Sequence, residues 1–272
     1  MTALAPAPVV GSAITRALLG DVPGPVSASL VAAEPGVIAG LDGLTALEGT
    51  PGLGAWIVEV SEGGRVAAGD VLARLSGSAG DVLAATDHVM GPLGFASGIA
   101  TRCAGLVAAA PPGLRLVCGA WKKLPVSMKP LLRAGLAAGG VHPRLLDGDF
   151  VYIDKIAVAL LGGVANAVLR ARSLGAGGAA VQVQTVGEAL QAATFGATAL
   201  MVDTGSVAGL AQTSEALVAE GLRGDVLLAF GGGAGPEGLA DIHAAGADIV
   251  DMGRAVLDAP LLDLRIVADG AP

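Results

Sequence analysis

The chain has 272 residues, of which 53% are apolar but only 3% aromatic, so its core must be built mainly from Ala, Val, Leu and Ile. A formal net charge of −8 argues against a nucleic-acid partner, because phosphate neutralisation requires clustered Lys and Arg. Charged residues interrupt the apolar runs and no basic signal-peptide start is present, so we expect a cytoplasmic protein without a membrane partner. Cys103 and Cys118 lack metal-site spacing and are expected to be small buried side chains.

The first 110 residues are predicted to form a smaller α/β domain. Segments 26–40 and 55–77 have the apolar patterns of strands joined by Gly-containing turns, of which the turn at 63–64 is the clearest. The segment 81–109 is a long apolar helix candidate, in which we expect Pro92 and Gly94 to cause a break or a kink.

Residues 111–257 are predicted to form a second domain, in which six apolar runs alternate with stretches of helical period such as 156–172. The runs are LRLVC (114–118), FVYI (150–153), AAVQVQ (179–184), ALMV (199–202), VLLAF (226–230) and DIVDM (248–252). Alternating βα units predict a parallel sheet, open or closed as a barrel, with fewer strands than the eight of a TIM barrel. The last segment, 258–272, is expected to return to the first domain.

Candidate functional residues cluster at the carboxyl ends of the six runs, where parallel α/β sheets place their catalytic loops. Lys, Arg and Asp side chains are therefore expected to converge at one end of the sheet, here called the mouth of the barrel. In chain order the candidates are Trp121, Lys122 and Lys123, then Arg144, Asp154 and Lys155, then Gln182 and Asp203, then Gly231, Gly232 and Gly233, and finally Gly253 and Arg254.

The glycine-rich loop after the fifth run predicts a phosphate site. Gly231–Gly235 precedes a predicted helix near Leu239, and Pro236 suits the first turn of that helix. Backbone N–H groups of such a loop bind phosphate well, and Arg254 adds a guanidinium able to make bidentate contacts. The alternative interpretation of the glycines is a tight turn without a ligand.

Two further sets of charged residues each have two interpretations. Asp203 is placed to hold Mg²⁺ or a ribose hydroxyl, or to cap the helix that begins near Ser206. Lys122, Lys123 and Lys129 form either an anion site or a solvated surface.

Five motifs carry a resemblance to a known family. They are VSASLVAAEPGVIAGLD (26–42), VSEGGRVAAGDVLARL (60–75), GFASGIAT (94–101), WKKLP (121–125) and AGGVHPRL (138–145). In these motifs, which lie in register over nearly the whole chain, the sequence resembles quinolinate phosphoribosyltransferase and its relative from molybdenum operons, the ModD protein.

The resemblance implies a type II phosphoribosyltransferase fold: an N-terminal α/β sandwich followed by an open six-stranded α/β barrel. It implies a homodimer or higher oligomer with active sites shared between subunits. The family reaction joins quinolinate to phosphoribosyl pyrophosphate (PRPP), with Mg²⁺, and gives nicotinate mononucleotide, pyrophosphate and CO₂. A glycosyltransferase with a small phosphorylated substrate is therefore expected.

Several family positions are retained in this chain. Lys122 falls on the motif lysine and Arg144 on the arginine, both of which contact substrate anions in the family. Asp203 falls on the carboxylate near the ribose and the metal, and the glycines of the last two loops fall in the phosphate cradle. The resemblance thus implies catalytic roles for Lys122, Arg144 and Asp203, with Asp203 also a metal ligand.

The acceptor half of the family site is altered. Trp121 replaces an arginine, and Asp87 replaces the helix arginine that crosses the dimer interface to hold quinolinate. Asp154 replaces a lysine, for which the neighbouring Lys155 is a possible substitute, and Gln182 replaces an acid that faces the metal and the ribose. Since quinolinate is a dianion, acids in place of cations substitute repulsion for attraction.

We therefore expect a phosphoribosyltransferase-like enzyme that uses a PRPP-type substrate and an acceptor other than quinolinate. A neutral or cationic aromatic acceptor would pair with Asp87, His88 and Asp154 and stack on Trp121. The alternative is a catalytically degenerate homologue that serves as a metabolite-binding or regulatory dimer.

Overall fold

The computed structural model describes residue 19 and residues 22–45, 54–175 and 177–269. Its strands are β1 (Val26–Ala32), β2 (Gly36–Val37), β3 (Ala55–Val58), β4 (Arg65–Val66), β5 (Val71–Gly77), β6 (Arg115–Val117), β7 (Val151–Ile153), β8 (Ala179–Val183), β9 (Ala199–Val202), β10 (Leu227–Phe230), β11 (Ile249–Asp251) and β12 (Leu264–Ala268). Its α-helices are α1 (Leu41–Thr45), α2 (Ala79–Ala109), α3 (Lys129–Gly139), α4 (Lys155–Leu160), α5 (Val164–Ser173), α6 (Val186–Thr194), α7 (Val207–Ala219), α8 (Leu239–Ala244) and α9 (Gly253–Leu257).

The chain divides into two compact units. Within the described residues, the first unit comprises the chain up to Ala104, the segment Val126–Gly139 and the chain from Ala259 onward. It contains an antiparallel sheet in the order β12-β1-β5-β3 and a small two-stranded sheet of β2 and β4. The strands predicted at 26–40 and 55–77 are thus present, and the chain from Ala259 contributes β12 to this sheet.

Helix α2 runs without interruption through Pro92, so the predicted break is wrong. Its side chains Ala85, Val89 and Leu93 are buried in the apolar core of the first unit. This burial on both sides of the proline offsets the backbone hydrogen bond that proline removes. Among the described helices α2 alone is long and apolar enough to cross a membrane, but half of its most apolar window is buried, as in a core helix.

Helix α3 belongs to the first unit, although the sequence-based division placed it in the barrel domain. The reason is a close helix–helix approach that only glycine permits. A Cβ at Gly135 would lie 2.6 Å from the carbonyl oxygen of Ala96 and 2.7 Å from Cγ2 of Ile99, both on α2. Gly139 likewise faces Ala100 and Cys103 of α2.

The second unit contains the six-stranded parallel sheet, in the order β6-β11-β10-β9-β8-β7. The first strand of this unit therefore pairs with the last, while β6 and β7 are the two ends of the open sheet. An isolated parallel bridge joins Val117 of β6 to His142 beside that opening. All six predicted strands are confirmed, and ALMV (199–202) has the observed bounds.

The helix predicted at 156–172 is in fact two helices, α4 and α5. The chain changes direction between them at Gly162 and Gly163, which have φ angles of +75° and +118°. These left-handed values favour glycine and end a helix. Cys103 and Cys118 are free and buried, as predicted.

We expect Gly135→Ala to lower the free energy of unfolding by about 1–3 kcal/mol, because the added Cβ forces α2 and α3 apart. Gly105→Ala is the matched control, since Gly105 lies on α2 and a Cβ there would meet no atom within 4 Å. That control should leave stability unchanged or raise it by up to about 1 kcal/mol. Urea unfolding measures both; equal stability of the two variants would contradict the proposed helix contact.

Candidate functional site

The loops after β6 and β11 are tied together by one partly buried carboxylate, that of Asp251. Its Oδ1 accepts hydrogen bonds from the backbone N–H of Gly119 at 2.9 Å and of Gly253 at 3.0 Å. Burial raises the pKa of Asp251 above its usual range, and the nearby charge of Asp203 raises it further. Sequence reasoning missed this residue, because it appears as the polar member of an apolar strand. Gly253 was predicted to bind phosphate through its backbone, but in the structure its N–H donates to Asp251.

The loops after β7 and β9 are joined by the side chain of Gln182, a residue of β8 that is 8% exposed. Its Oε1 accepts a hydrogen bond from the backbone N–H of Lys155 at 3.1 Å, and its Nε2 donates to Oδ2 of Asp203. The amide therefore orients Asp203 within the site. The N-cap of α7 is Ser206, whose hydroxyl accepts from the N–H of Gly209, so the capping interpretation of Asp203 is wrong.

Lys122 and Trp121 lie in a short 3-10 helix, Ala120–Lys123, directly after β6. The Lys122 ammonium is 3.4 Å from Oδ2 of Asp154, and 5.1 Å and 6.0 Å from the ring centroids of Tyr152 and Trp121. The lysine that sequence reasoning assigned to substrate anions is thus paired with an acid of its own chain. Tyr152 was not predicted as a site residue.

Asp154 also begins helix α4. Its Oδ1 accepts hydrogen bonds from the N–H groups of Ile156 at 3.1 Å and Ala157 at 3.0 Å. The hydrogen bond from Ala157, with a contribution from Lys122, holds the pKa of Asp154 below its usual range. Asp154 is consequently a fixed anion, with one oxygen holding the helix and the other facing Lys122.

The pKa of Tyr152 reflects the negative charges around the mouth of the barrel. Burial raises the pKa of its phenol to about 12, and the charges of Asp203, Asp251 and Asp154 raise it as well. Acids at the ends of three different strands therefore act on one phenol. Lys123 opposes them in part, because its charge lowers the pKa of Asp251.

The glycine-rich loop after β10 has the backbone that sequence reasoning predicted. Gly232 and Gly233 have φ angles of +109° and +101°, and Pro236 opens a helical turn that leads into α8. A Cβ at Gly231 would lie 3.1 Å from Oδ1 of Asp203, whereas one at Gly233 would meet no atom within 4 Å. The loop thus lies beside Asp203 and has open space at Gly233.

Four other predicted residues make no described contact with the site residues named above. Arg144 is exposed, with its guanidinium 4.9 Å from the ring centroid of Phe150. Arg254 is exposed and pairs with Asp258 at 3.3 Å, one turn along α9. Asp87 and His88 lie on α2 in the first unit, where Nδ1 of His88 is 3.0 Å from the carbonyl oxygen of Ala84.

The described residues contain no group of three or more His, Cys, Asp or Glu side chains that could hold a metal ion. Mg²⁺, however, retains several waters and is commonly bound by one or two carboxylates together with substrate phosphates. Asp203, oriented by Gln182 and adjacent to the glycine-rich loop, supplies one such carboxylate. The donor set fits a magnesium ion that arrives with a diphosphate and does not fit a resident metal.

Two family models together match nearly the whole chain. Residues 13–97 match the N-terminal domain of quinolinate phosphoribosyl transferase, and residues 99–267 match its C-terminal domain.

Curated proteins and solved structures agree with these matches. The chain is 29% identical over 208 residues to a probable carboxylating nicotinate-nucleotide pyrophosphorylase from Archaeoglobus fulgidus, covering 75% of this chain and 80% of that protein. It is 27% identical over 254 residues to a protein of the same description from Methanothermobacter thermautotrophicus, covering 90% and 89%. The crystal structure of nicotinate-nucleotide pyrophosphorylase from Ehrlichia chaffeensis matches with a TM-score of 0.82, at 17% identity, covering 95% and 93%. The predicted type II phosphoribosyltransferase fold is confirmed.

We expect Asp251→Ala to lower the free energy of unfolding by about 1–3 kcal/mol, because it leaves the N–H groups of Gly119 and Gly253 without their acceptor. Asp251→Asn is the matched control: its amide oxygen can still accept, and it removes a partly desolvated charge. Chemical denaturation at neutral pH measures both variants. If Asn is as destabilising as Ala, the carboxylate acts through its charge and not as a shared acceptor.

The single tyrosine of the chain permits a direct test of the electrostatics. Tyr152 should titrate near a pKa of about 12 in the native protein. Asp203→Asn should lower that pKa, because it removes a negative charge that disfavours the phenolate. Phenolate absorbance after a rapid pH jump, before unfolding, provides the measurement. Asp258→Asn, an exposed acid outside the cluster, should leave the pKa unchanged; an equal shift would refute the assignment.

Proposed function

We propose that this chain, which belongs to the quinolinate phosphoribosyltransferase family, is a phosphoribosyltransferase whose acceptor is not quinolinate. One observation carries the proposal: in the mouth of the barrel, the Lys122 ammonium is paired with the fixed carboxylate of Asp154. A site for a dianionic acceptor needs free cations, and this pairing removes one.

The half of the site that would bind the phosphoribosyl donor has the required groups. The glycine-rich loop, with its left-handed backbone at Gly232 and Gly233, supports a role in holding phosphate. The exposed guanidinium of Arg144 supplies charge for further anionic contacts, and Arg254 would do so on leaving Asp258. We propose that Asp203 faces the ribose and ligates a Mg²⁺ ion carried by the diphosphate.

The acceptor half favours a neutral or cationic ring. Asp154, Asp203 and Asp251 all act on Tyr152, so a dianion placed there would meet several acids. For charges near 4 Å apart, one such repulsion lies between about 1 kcal/mol in water and about 4 kcal/mol at an effective dielectric near 20. Trp121, whose side chain is 40% exposed, offers a face on which a flat ring can stack.

In the proposed reaction, a ring nitrogen of the acceptor forms a bond to C1 of the ribose. The bond from C1 to the diphosphate oxygen breaks, and the diphosphate leaves with the electron pair. Asp203 stabilises the positive charge that develops on the ribose, while Trp121 orients the ring. Mg²⁺, when bound, neutralises charge on the leaving diphosphate. Catalytic roles for Lys122 and Arg144, as contacts of the donor's anionic groups, belong to the same proposal.

Asp87 and His88 extend the proposal to the oligomer. They lie on α2 of the first unit, and Asp87 is exposed. We propose a cytoplasmic homodimer in which these two residues act in the site of the neighbouring subunit, where they would pair with an amine of the acceptor. The alternative, a metabolite-binding dimer without catalysis, differs in having no turnover with any acceptor.

The purified protein should not form nicotinate mononucleotide from quinolinate, PRPP and Mg²⁺, whereas PRPP with Mg²⁺ should stabilise it. At a PRPP concentration one hundred times Kd, the stabilisation is about 2.7 kcal/mol. A product assay and thermal unfolding measure the two effects.

Two variants control this experiment. Asp203→Asn should lose the PRPP effect, while Glu215→Gln, which alters an exposed acid on α7, should keep it. Quinolinate turnover at an ordinary enzymatic rate would overturn the altered acceptor. Absence of any PRPP effect in the unsubstituted protein would overturn phosphoribosyl transfer itself.

A further inference from the structure

The Lys122 ammonium occupies a set of groups suited to binding a cation. The set, here called the cation box, consists of the rings of Trp121 and Tyr152 and the carboxylate of Asp154. The ammonium is 5.1 Å from the Tyr152 centroid, 6.0 Å from the Trp121 centroid and 3.4 Å from Asp154 Oδ2. Aromatic faces combined with a carboxylate are how proteins recognise ligand ammonium groups.

The two charges of this pair differ in how firmly they are held. Asp154 is fixed by two backbone hydrogen bonds at the start of α4. Lys122 ends in a flexible stem whose ammonium makes a long 3.4 Å ion pair and is about half exposed. If the pair opens, Lys122 moves and Asp154 stays in place with its free oxygen facing the box.

The surrounding charges favour a second cation in the box when Lys122 leaves. Besides Asp154, the acids Asp203 and Asp251 act on Tyr152, so the box lies in a negative region. Lys123 opposes these acids, since its positive charge lowers the pKa of Asp251. Once Lys122 has left, the neighbouring acids outnumber this cation.

We propose that Lys122 holds the place of a ligand cation: the cation box binds an ammonium group of the acceptor, and that binding releases Lys122 toward the anionic donor. The inference names the acceptor class and to that extent rests on the proposed function. The ligand is a flat heteroaromatic ring with a neutral nucleophilic nitrogen and a separate ammonium substituent, since a protonated ring nitrogen has no lone pair with which to attack. Once displaced, Lys122 can contact the anionic donor, which is the role in the reaction proposed for it above.

The proposal requires the two ligands to bind cooperatively. While Lys122 is paired with Asp154, its charge contributes little to an anionic ligand. A cation that displaces it makes the ammonium available, so each ligand should raise the affinity of the other by the same factor. The coupling must pass through Lys122 and must vanish when that side chain has no charge.

The cation box is tested with aminomethylpyridine as the probe, at a pH where its amine is protonated and its ring is neutral. Methylpyridine, which has the ring without the ammonium, is the control ligand. Lys122→Met should bind the aminomethyl probe about tenfold more tightly than the unsubstituted protein, because the internal competitor is gone. Asp154→Asn should bind it at least about tenfold more weakly. Calorimetry and quenching of Trp121 fluorescence measure the affinities.

Three controls make the result specific. Lys129→Met, which alters a lysine of the first unit, should leave the affinity unchanged. Trp121→Phe should abolish the quenching, because the other tryptophan, Trp56, is buried in the first unit. Unchanged or weaker binding of the probe to Lys122→Met would overturn the proposal, as would equal affinity for the two ligands in the unsubstituted protein.

The coupling is measured with PRPP and Mg²⁺ in the presence and absence of the probe. The probe should raise PRPP affinity about three- to tenfold in the unsubstituted protein and have no effect in Lys122→Met. Tighter probe binding to Lys122→Met without any PRPP binding would support the cation box and reject the proposed phosphoribosyl transfer. PRPP binding without probe binding would do the reverse, so the two failures are distinguishable.

Discussion

A hydrogen-bonded carboxylate between the first and last strands of the parallel sheet is the interaction on which the rest of the site depends. Sheet order places β6 beside β11, and Asp251 fastens their loops by accepting N–H groups 132 positions and two positions away along the chain. The loop that carries Trp121 and Lys122 is thereby held at the mouth. Satisfying two backbone donors offsets part of the free energy lost when the carboxylate is desolvated.

The same logic accounts for an amide where the family resemblance leads one to expect an acid. At neutral pH a carboxylate at position 182 could not donate to Asp203 and would repel it. Gln182 donates with one atom and accepts from Lys155 with the other, so three strand ends become one unit. Gln182 thus fixes the orientation of Asp203 at a position where the resemblance implies an acid.

Local patterns predicted the fold well because the six parallel strands are short, buried apolar runs with helices between them. The predictions that failed concern residues whose partners lie far away in sequence, or whose local preference is outweighed by packing in the core. Pro92 lies inside a helix because core packing outweighs its local preference, and α3 joins the first unit through glycine contacts that no periodicity reveals. Asp251 could not be found from its neighbours in sequence. The capping role of Asp154, by contrast, is a local signal that directs attention to the start of α4.

The altered acceptor half is best understood as one coupled change. Asp154 in place of a lysine would serve only as the N-cap of α4 if Lys122 pointed elsewhere, and Trp121 in place of an arginine would be an exposed ring without that ammonium beside it. In the structure both face the same ammonium, together with Tyr152. Random loss of function has no tendency to assemble an anion and two aromatic faces around a single cation. The arrangement therefore supports the proposal of an acceptor with a positive charge over the alternative of a degenerate site.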